Sequence, residues 1–238
     1  MFHYLSQHPN IAACAPEKEP GFFIFDKWAQ SFWHRKNNIC MKNKKQMLKE
    51  MMYLNLTNEK YFMEATTYYT QGVNETKYKI PKTILNQSPD CKIIYIVRNP
   101  FQRLISNYFH QKRRGDNDTL FKVSNDFYKI NTCLYYHRIK PFISFLGQDR
   151  VHVLTLENLK LNPNNELEKV YNFLDLPDHK EVKLNIHNET SPKNEKPRFD
   201  LVTYDKLYHV FSQQEELLNN KLGMNIKWNL SKKTWVSN

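Results

Sequence analysis

The sequence predicts an α/β domain in which a parallel β-sheet is flanked by helices. Ile93–Val97 is a short run rich in β-branched residues, which is typical of a strand covered on both faces. Asn99 and Pro100 follow at once and indicate the start of a helix, as its N-cap and its first residue. Val151–Thr155 is a second apolar run that precedes a helical pattern. Alternation of buried strands with helices predicts parallel pairing.

Composition and charge narrow the class of protein. At 238 residues, with 40% hydrophobic and 25% charged residues, the chain suits one globular domain with a sizeable core. The net charge of +11 attracts polyanions such as a nucleotide, a sulfated glycan or a nucleic acid. No ribonucleoprotein, zinc-finger or helix-turn-helix motif is recognisable in the sequence, so a nucleic acid is not the expected partner.

Apolar spacing and turn residues place the other elements. A helix that contains Phe2–Gln7 ends before Pro9, because a residue that precedes proline avoids the helical conformation. The remaining predictions are a strand over Ile11–Cys14, a turn over Pro16–Pro20 that exposes Glu19, a basic helical stretch over Trp28–Asn58, a polar loop over His187–Arg198, and helices over Pro81–Asn86, Asn131–Leu146 with an interruption near Pro141, Asn165–Leu174 and Leu201–Leu222.

The junction of the Ile93–Val97 strand with the next helix is a candidate anion-binding site. Arg98 lies at the junction, and Arg103 and Ser106 share one face of the helix because they are three residues apart. The first-turn N–H groups and the positive end of the helix dipole point to the same place. These donors suit a phosphate group. The simpler alternative is an exposed arginine, a capping asparagine and a solvated serine.

The cysteines do not predict a metal site. Cys14, Cys40, Cys91 and Cys133 are widely separated, with no Cys-x-x-Cys pair and no Cys/His cluster. They are either buried thiols or partners in disulfides, and both remain open. The given chain contains no apolar run long enough to span a bilayer, so no membrane segment is expected in it.

The residues of the anion site resemble a known motif. Arg98-Asn-Pro-x-x-Arg103-x-x-Ser106-x-Tyr108 is similar to the 3′-phosphate-binding motif of sulfotransferases that use 3′-phosphoadenosine-5′-phosphosulfate (PAPS). Further segments resemble the carbohydrate branch of that family, which includes heparan sulfate and chondroitin sulfotransferases, and they occur in the family's order. They are Leu5–Ile11, Lys18–Phe23, Glu64–Tyr68, and Val151–Leu159 followed by Val170–Leu176.

The resemblance implies a P-loop-like fold, a carbohydrate acceptor, PAPS as co-substrate and no metal. Glu19 matches the family's catalytic glutamate, although an exposed glutamate paired with Lys18 is the simpler alternative. Glu64 matches an acceptor-side acidic position, but many relatives carry lysine where Ala65 stands. The implied nucleotide contacts are Arg98, Arg103, Ser106, Tyr135 and, in a loop that is alternatively only solvated, Lys193, Lys196 and Arg198.

One segment of the family is absent from this sequence. Relatives carry a strand and a glycine-rich loop, Pro-Lys-x-Gly-Thr-Thr, before the helix that ends in Leu-x-x-His-Pro, whereas this chain begins partway into that helix. We therefore expect residues 1–238 to form one sulfotransferase domain without the first central strand and its 5′-phosphosulfate loop. Either the sequence is truncated upstream or the protein is a degenerate member of the family.

The two alternatives imply different functions. A truncated record corresponds to an enzyme, a sulfotransferase that transfers a sulfuryl group from PAPS to a carbohydrate hydroxyl or amine. Residues 1–238 alone are then expected to show feeble or absent transfer, because the 5′-phosphosulfate loop is not among them. It would lie in the Golgi lumen of a eukaryote or in the cytoplasm of a bacterium. A degenerate member corresponds to a noncatalytic, polyanion-binding relative.

Overall fold

The computed structural model of the protein describes residues 1–14, 18–24, 59–71, 76–183 and 197–236. Its strands are β1 (Ile11–Ala13), β2 (Tyr61–Met63), β3 (Ile93–Val97) and β4 (Val151–Thr155). Its helices are α1 (Phe2–Leu5), α2 (Thr76–Gln87), α3 (Pro100–Arg113), α4 (Leu120–Asn125), α5 (Phe127–Asn131), α6 (Tyr135–Leu146), α7 (Leu156–Leu161), α8 (Pro163–Phe173), α9 (Leu201–Leu222) and α10 (Lys232–Trp235), with 3₁₀ helices at Thr67–Thr70 and Gln148–Arg150.

The strands form two parallel pairs. β1 pairs with β2, with Ile11 opposite Tyr61, and β3 pairs with β4, with Ile93 opposite Val151. Within the described ranges, no strand joins the two pairs. Parallel neighbours need a crossover connection, and α3 to α6 provide it between β3 and β4. The predicted α/β class with parallel strands is confirmed.

Both faces of β3 are covered. Ile94 and Ile96 pack against a buried cluster that includes Val170 of α8. Ile93 and Tyr95 pack on the opposite side against a cluster that contains side chains of α2 and α6. Because successive side chains of a strand point to opposite faces, a strand covered on both sides is apolar throughout.

The two strand pairs share one of these clusters. Ile11 of β1 and Leu154 of β4 belong to the same buried group, and Tyr61 and Met63 of β2 pack against it. The two strand pairs therefore pack against one buried core.

A third cluster joins the start of α3 to the carboxyl-terminal part of the chain. The fully buried ring of Phe101 stacks on Tyr204 of α9 and on Trp235 of α10, with centroid distances of 5.5 and 5.4 Å. The edge-to-face contact with Phe211 of α9 is 5.1 Å. These aromatic contacts fix the position of the first turn of α3.

The predicted interruption near Pro141 is wrong. α6 runs from Tyr135 through Pro141 to Leu146, and α5 ends separately at Asn131. A proline inside a helix removes one backbone hydrogen bond and crowds the preceding turn. Ile139 and Phe142 beside it are 0% and 2% exposed, and their burial against α2 and β4 outweighs that cost.

Several other boundaries can be compared with prediction. β3, β4 and α9 begin and end where the sequence places them. α2 begins at Thr76, five residues before the predicted start at Pro81. The stretch 28–58 and residues 187–196 of the predicted loop lie outside the described residues. No described helix is long and apolar enough to cross a membrane.

Candidate functional site

The first turn of α3 is capped as predicted. The side-chain oxygen of Asn99 accepts hydrogen bonds from the backbone N–H groups of Phe101 and Gln102, at 3.1 and 3.3 Å. Pro100 occupies the first helical position, where a missing N–H costs nothing. The Asn99 amide also donates to the Asn229 carbonyl at 3.1 Å, so the cap is held from the carboxyl-terminal segment as well.

The guanidinium of Arg98 folds over this first turn. Its Nη2 lies 3.3 Å from the carbonyl oxygens of both Gln102 and Arg103. Its Nε is buried and has no hydrogen-bond partner among the described residues. Burial lowers the pKa of Arg98, and the charge of Arg103 lowers it further, although a guanidinium stays protonated in proteins. A positive group with an uncommitted N–H therefore lies at the carboxyl end of β3.

Tyr135 and Arg103 complete this group. The Tyr135 side chain is 1% exposed, and in the described part of the chain nothing hydrogen-bonds to its hydroxyl. Burial raises the pKa of Tyr135 well above its ordinary value, so the hydroxyl stays neutral and can donate. Arg98 and Arg103 both interact electrostatically with it, and Arg103 Nε donates to Thr132 Oγ1 at 3.3 Å. The structure thus brings three of the predicted phosphate contacts together.

The other predicted nucleotide contacts have different surroundings. Ser106 is half-buried one turn beyond Arg103 on α3. Arg198 is exposed and donates from Nη1 to the Val236 carbonyl at 2.9 Å. Lys193 and Lys196 lie outside the described residues. Contact with a nucleotide remains a prediction for all of these side chains.

Glu157 closes the group from the β4 side, although its sequence pattern had suggested no specific role. Its Oε1 accepts the backbone N–H of Asn99 at 2.7 Å. Its Oε2 is buried without a hydrogen-bond partner among the residues described. The available signal was its position in the first turn after the predicted strand Val151–Thr155, because the carboxyl ends of neighbouring parallel strands meet at one edge.

Glu19 lies against the 3₁₀ helix at Thr67–Thr70. Its Oε2 accepts hydrogen bonds from the hydroxyl and the backbone N–H of Thr67, at 2.9 and 3.3 Å. Its Oε1 lies 3.7 Å from Lys18 Nζ, so the predicted pairing with Lys18 is also present. The Glu19 side chain is only 20% exposed. The prediction that the turn exposes it is therefore wrong, because its hydrogen bonds with Thr67 hold it against the 3₁₀ helix.

Glu64 follows β2 and is surrounded by hydrogen-bond donors. Its Oε2 accepts from the hydroxyl and the backbone N–H of Thr66, at 2.6 and 3.2 Å, and its Oε1 accepts from the Tyr69 hydroxyl. The pKa of Glu64 is raised to about 7, mainly by burial. The charge of Glu19 also raises this pKa, and the hydrogen bonds from Thr66 and Tyr69 partly oppose the rise. The two carboxylates therefore interact electrostatically.

Tyr95 connects the carboxylates with the anion site. Its ring centroid lies 6.4 Å from that of Tyr135, and its side chain contacts Thr70 at the end of the 3₁₀ helix. Arg103 interacts electrostatically with Tyr95 as well. The side chains predicted as base and as phosphate contacts are thus linked through the middle of β3.

The described residues hold no group of His, Cys, Asp and Glu side chains that could bind a metal ion. Cys91 and Cys133 are free thiols, Cys14 is buried, and Cys40 lies outside the described residues.

Comparison with known proteins places this arrangement in a family. The sulfotransferase domain family matches residues 73–221, which is more than half of the chain. The chain is 25% identical over 113 residues to heparan sulfate glucosamine 3-O-sulfotransferase 5 of Homo sapiens, an alignment that covers 42% of this chain and 33% of that protein. It is 22% identical over 198 residues to the bifunctional heparan sulfate N-deacetylase/N-sulfotransferase of Drosophila melanogaster, covering 73% and 18%.

A third relative is the sulfotransferase 1 family member D1 of Mus musculus, 29% identical over 124 residues, which cover 49% of this chain and 42% of that protein. The chain spans less than half the length of each of these relatives. A sulfotransferase crystal structure from Alicyclobacillus acidocaldarius matches 94% of the chain and 90% of its own, with a TM-score of 0.69 and 18% identity. That similarity shows a shared fold.

Proposed function

Because the chain belongs to the sulfotransferase domain family, we propose that it transfers a sulfuryl group from PAPS to a hydroxyl or amine of a carbohydrate. The observation that carries the donor assignment is the pair of buried polar atoms without partners among the described residues, Arg98 Nε and Tyr135 Oη. Buried polar groups are normally hydrogen-bonded, so such a pair beside a helix N-terminus is a reason to expect an anion there.

In this proposal the 3′-phosphate of the donor lies over the first turn of α3. Arg98 and Arg103 supply charge, and Tyr135 and Ser106 supply hydroxyl donors. The helix dipole contributes its positive end, while the N–H groups of Phe101 and Gln102 already donate to Asn99. A neutral tyrosine hydroxyl suits this role because it donates to a phosphate oxygen without adding negative charge.

Glu19 is the proposed general base. The acceptor oxygen or nitrogen attacks the sulfur, the bond between sulfur and the bridging phosphate oxygen breaks, and 3′-phosphoadenosine-5′-phosphate leaves. The acceptor proton passes to the Glu19 carboxylate, since a hydroxyl gains nucleophilicity when its proton is removed during attack. The protein otherwise acts by positioning and by neutralising developing charge, as in phosphoryl transfer. The two hydrogen bonds from Thr67 hold the base in one orientation.

A carbohydrate acceptor is proposed on two grounds. Two of the relatives are named as heparan sulfate sulfotransferases. The net charge of +11 also favours an anionic chain such as a sulfated or uronate-containing glycan. Glu64 matches an acceptor-side acidic position of the family in sequence.

The proposal is tested by incubating the full-length protein with PAPS labelled on the sulfate and a panel of desulfated heparan and chondroitin chains. We expect label in at least one glycan, and no label with Glu19→Gln. A protein that binds the glycans and 3′-phosphoadenosine-5′-phosphate but transfers no label would be the noncatalytic relative instead. A protein that binds neither would contradict both functions.

A further inference from the structure

We propose that Glu64 is a positioning residue, which fixes the loop of the general base through two hydroxyl relays and does not contact the acceptor. The role of Glu19 as base comes from the proposed function. The relays themselves are contacts of this chain, and they can be tested whether or not the chain transfers sulfate.

The first relay runs through Thr66. The backbone N–H of Gly21, two residues after Glu19, donates to Thr66 Oγ1 at 2.9 Å. That hydroxyl donates in turn to Glu64 Oε2 at 2.6 Å. A hydroxyl has one proton and two lone pairs, so a lone pair faces Gly21 when the proton is directed elsewhere. The Glu64 carboxylate accepts that proton and so fixes the orientation of the hydroxyl.

The second relay has the same form and runs through Tyr69. The backbone N–H of Phe23 donates to the Tyr69 hydroxyl at 3.2 Å, and the Tyr69 hydroxyl donates to Glu64 Oε1. The two oxygens of one carboxylate thus orient two hydroxyls, and these hold alternate N–H groups of one loop.

The hydrogen bonds leave Glu64 little capacity for a substrate. Its two oxygens already accept from both hydroxyls and from the backbone N–H of Thr66. The same two segments are also joined by the N–H of Ala65, which donates to the Lys18 carbonyl at 3.0 Å. The loop therefore has a defined conformation relative to the end of β2.

The backbone conformation at position 21 of this loop requires a glycine. Its φ of +69° lies in the left-handed region, and a Cβ there would lie 2.7 Å from the Ile24 side chain. The close turn presents the N–H groups of Gly21 and Phe23 to the two hydroxyls. Glu19 lies two residues before Gly21, so the position of its side chain depends on the conformation of this turn.

The relays require an ionised Glu64. In a protonated carboxyl one oxygen carries a proton and is a poorer acceptor, so at least one of the two hydroxyls loses the group that orients it. The ionisable groups around Glu64 are Glu19 on the loop, Tyr69 on the 3₁₀ helix and Cys91 before β3. Because burial raises the Glu64 pKa to about 7, the relays should form as the pH rises through that value.

The direct test is an NMR titration of the backbone amides. In the wild-type protein we expect the Gly21 and Phe23 amide shifts to titrate together, with a midpoint near 7. Glu64→Gln should abolish that shared titration, because a glutamine amide offers one acceptor and one donor and does not ionise. The exposed Glu168→Gln is the matched control and should leave it unchanged. Shifts that titrate alike in wild type and Glu64→Gln would overturn the proposal.

Separate variants test the two relays. Thr66→Val should move the Gly21 amide and Tyr69→Phe the Phe23 amide, while Thr66→Ser should restore the wild-type shift because it keeps the hydroxyl. A variant that moved neither amide would contradict its relay. Binding of 3′-phosphoadenosine-5′-phosphate, measured by calorimetry, should be unchanged in all three.

Kinetics distinguish positioning from acceptor binding. For Thr66→Val and Tyr69→Phe we expect kcat to fall by roughly five- to tenfold, as for the loss of one hydrogen bond, with the acceptor KM unchanged. A raised acceptor KM at constant kcat in Glu64→Gln would assign Glu64 to the acceptor instead. Absence of transfer by the wild-type protein would contradict the proposed function, while the amide titration would still decide the relays.

Discussion

At the level of single residues, Arg98 is expected to contribute measurably to the binding free energy of the nucleotide. Its charge is held at the carboxyl end of β3 with a buried N–H that has no partner among the described residues. In Arg98→Ala we expect 3′-phosphoadenosine-5′-phosphate to bind about 1.5–3 kcal/mol more weakly, which is the contribution of a charged hydrogen bond. This corresponds to a roughly 10- to 150-fold rise in Kd, measurable by calorimetry.

A matched control for this change is Arg113→Ala, which removes an exposed arginine from the last turn of the same helix. It should change affinity little, since an exposed charge is screened by solvent. Equal effects of the two substitutions would mean that only the general field of the protein attracts the nucleotide.

Glu19 provides the second residue-level prediction. Glu19→Gln keeps the shape of the side chain and an oxygen that can accept from Thr67, but it cannot take a proton. We expect at least a hundredfold loss of sulfate transfer, within the range of roughly 10²–10⁴ typical of a general base. Nucleotide affinity should be unchanged. Turnover close to that of the wild type would exclude Glu19 as the base.

The third residue-level prediction concerns pH. The folded protein holds the Glu64 proton up to about pH 7, whereas the unfolded chain releases it near its ordinary pKa of 4.5. The stabilisation from this proton is therefore present at low pH and is lost as the pH rises between those values. The loss amounts to about 3 kcal/mol.

Urea denaturation at several pH values measures this loss. Wild-type protein should lose stability relative to Glu64→Gln as the pH rises from 5 to 8, with Glu168→Gln as the exposed control. A constant difference across that range would show that the Glu64 pKa is not raised.

The sequence predicts contacts between neighbouring residues better than contacts between residues far apart in the chain. Arg98, Asn99 and Pro100 are adjacent, so one motif is enough to predict the candidate anion site. Thr66 and Gly21 are 45 residues apart, and the local sequence around one does not predict its contact with the other. The enclosure of Glu19 was missed for the same reason, because its partner Thr67 is 48 residues away.

At the level of elements, the start of α3 depends on Asn99. Asn99→Ala removes the cap of the helix and the hydrogen bond to Asn229, and we expect a loss of about 2 kcal/mol in the free energy of unfolding. Asn99→Ser keeps a capping oxygen and loses only the bond to Asn229, so about 1 kcal/mol is expected. Chemical denaturation measures both. Equal losses would mean that the side-chain oxygen does not cap the helix.

The elements whose boundaries are predicted correctly have strong local signals. β3 and β4 are apolar throughout, and α9 begins after the capping Asp200 and ends before Gly223 in the left-handed conformation. α6 is different because a local rule about Pro141 conflicts with burial of its neighbours. The helix continues through Pro141, because packing of its neighbours stabilises it by more than the loss of one backbone hydrogen bond destabilises it.

For the molecule as a whole, the carboxyl-terminal segment holds the helix start at which the anion site is proposed. The Trp235 indole donates to the Asn229 carbonyl at 2.6 Å, and the same carbonyl accepts from the Asn99 amide. The Trp235 ring also stacks on Phe101 in the first turn of α3. The last described residues therefore hold the helix that carries the predicted phosphate contacts.

Trp235→Ala tests this connection. We expect it to lower the free energy of unfolding by about 3–5 kcal/mol, as for other buried aromatic truncations. It should also weaken nucleotide binding, because the cap of α3 loses its support. Lys233→Ala, an exposed neighbour on α10, should change stability by less than about 0.5 kcal/mol. A Trp235→Ala protein with normal stability would contradict the role of this segment.

The contrast between motif and assembly has a simple physical basis. Strand, cap and helix start at Ile93–Pro100 follow from interactions between neighbours in the chain, and so does the proposal of an anion site there. Tyr135 acquires its buried, unpartnered hydroxyl, and Glu64 its relays, only when segments far apart in sequence pack together. Burial and desolvation arise from that packing, so the family and the phosphate motif could be read from the residues, whereas the environment of each carboxylate depended on the tertiary fold.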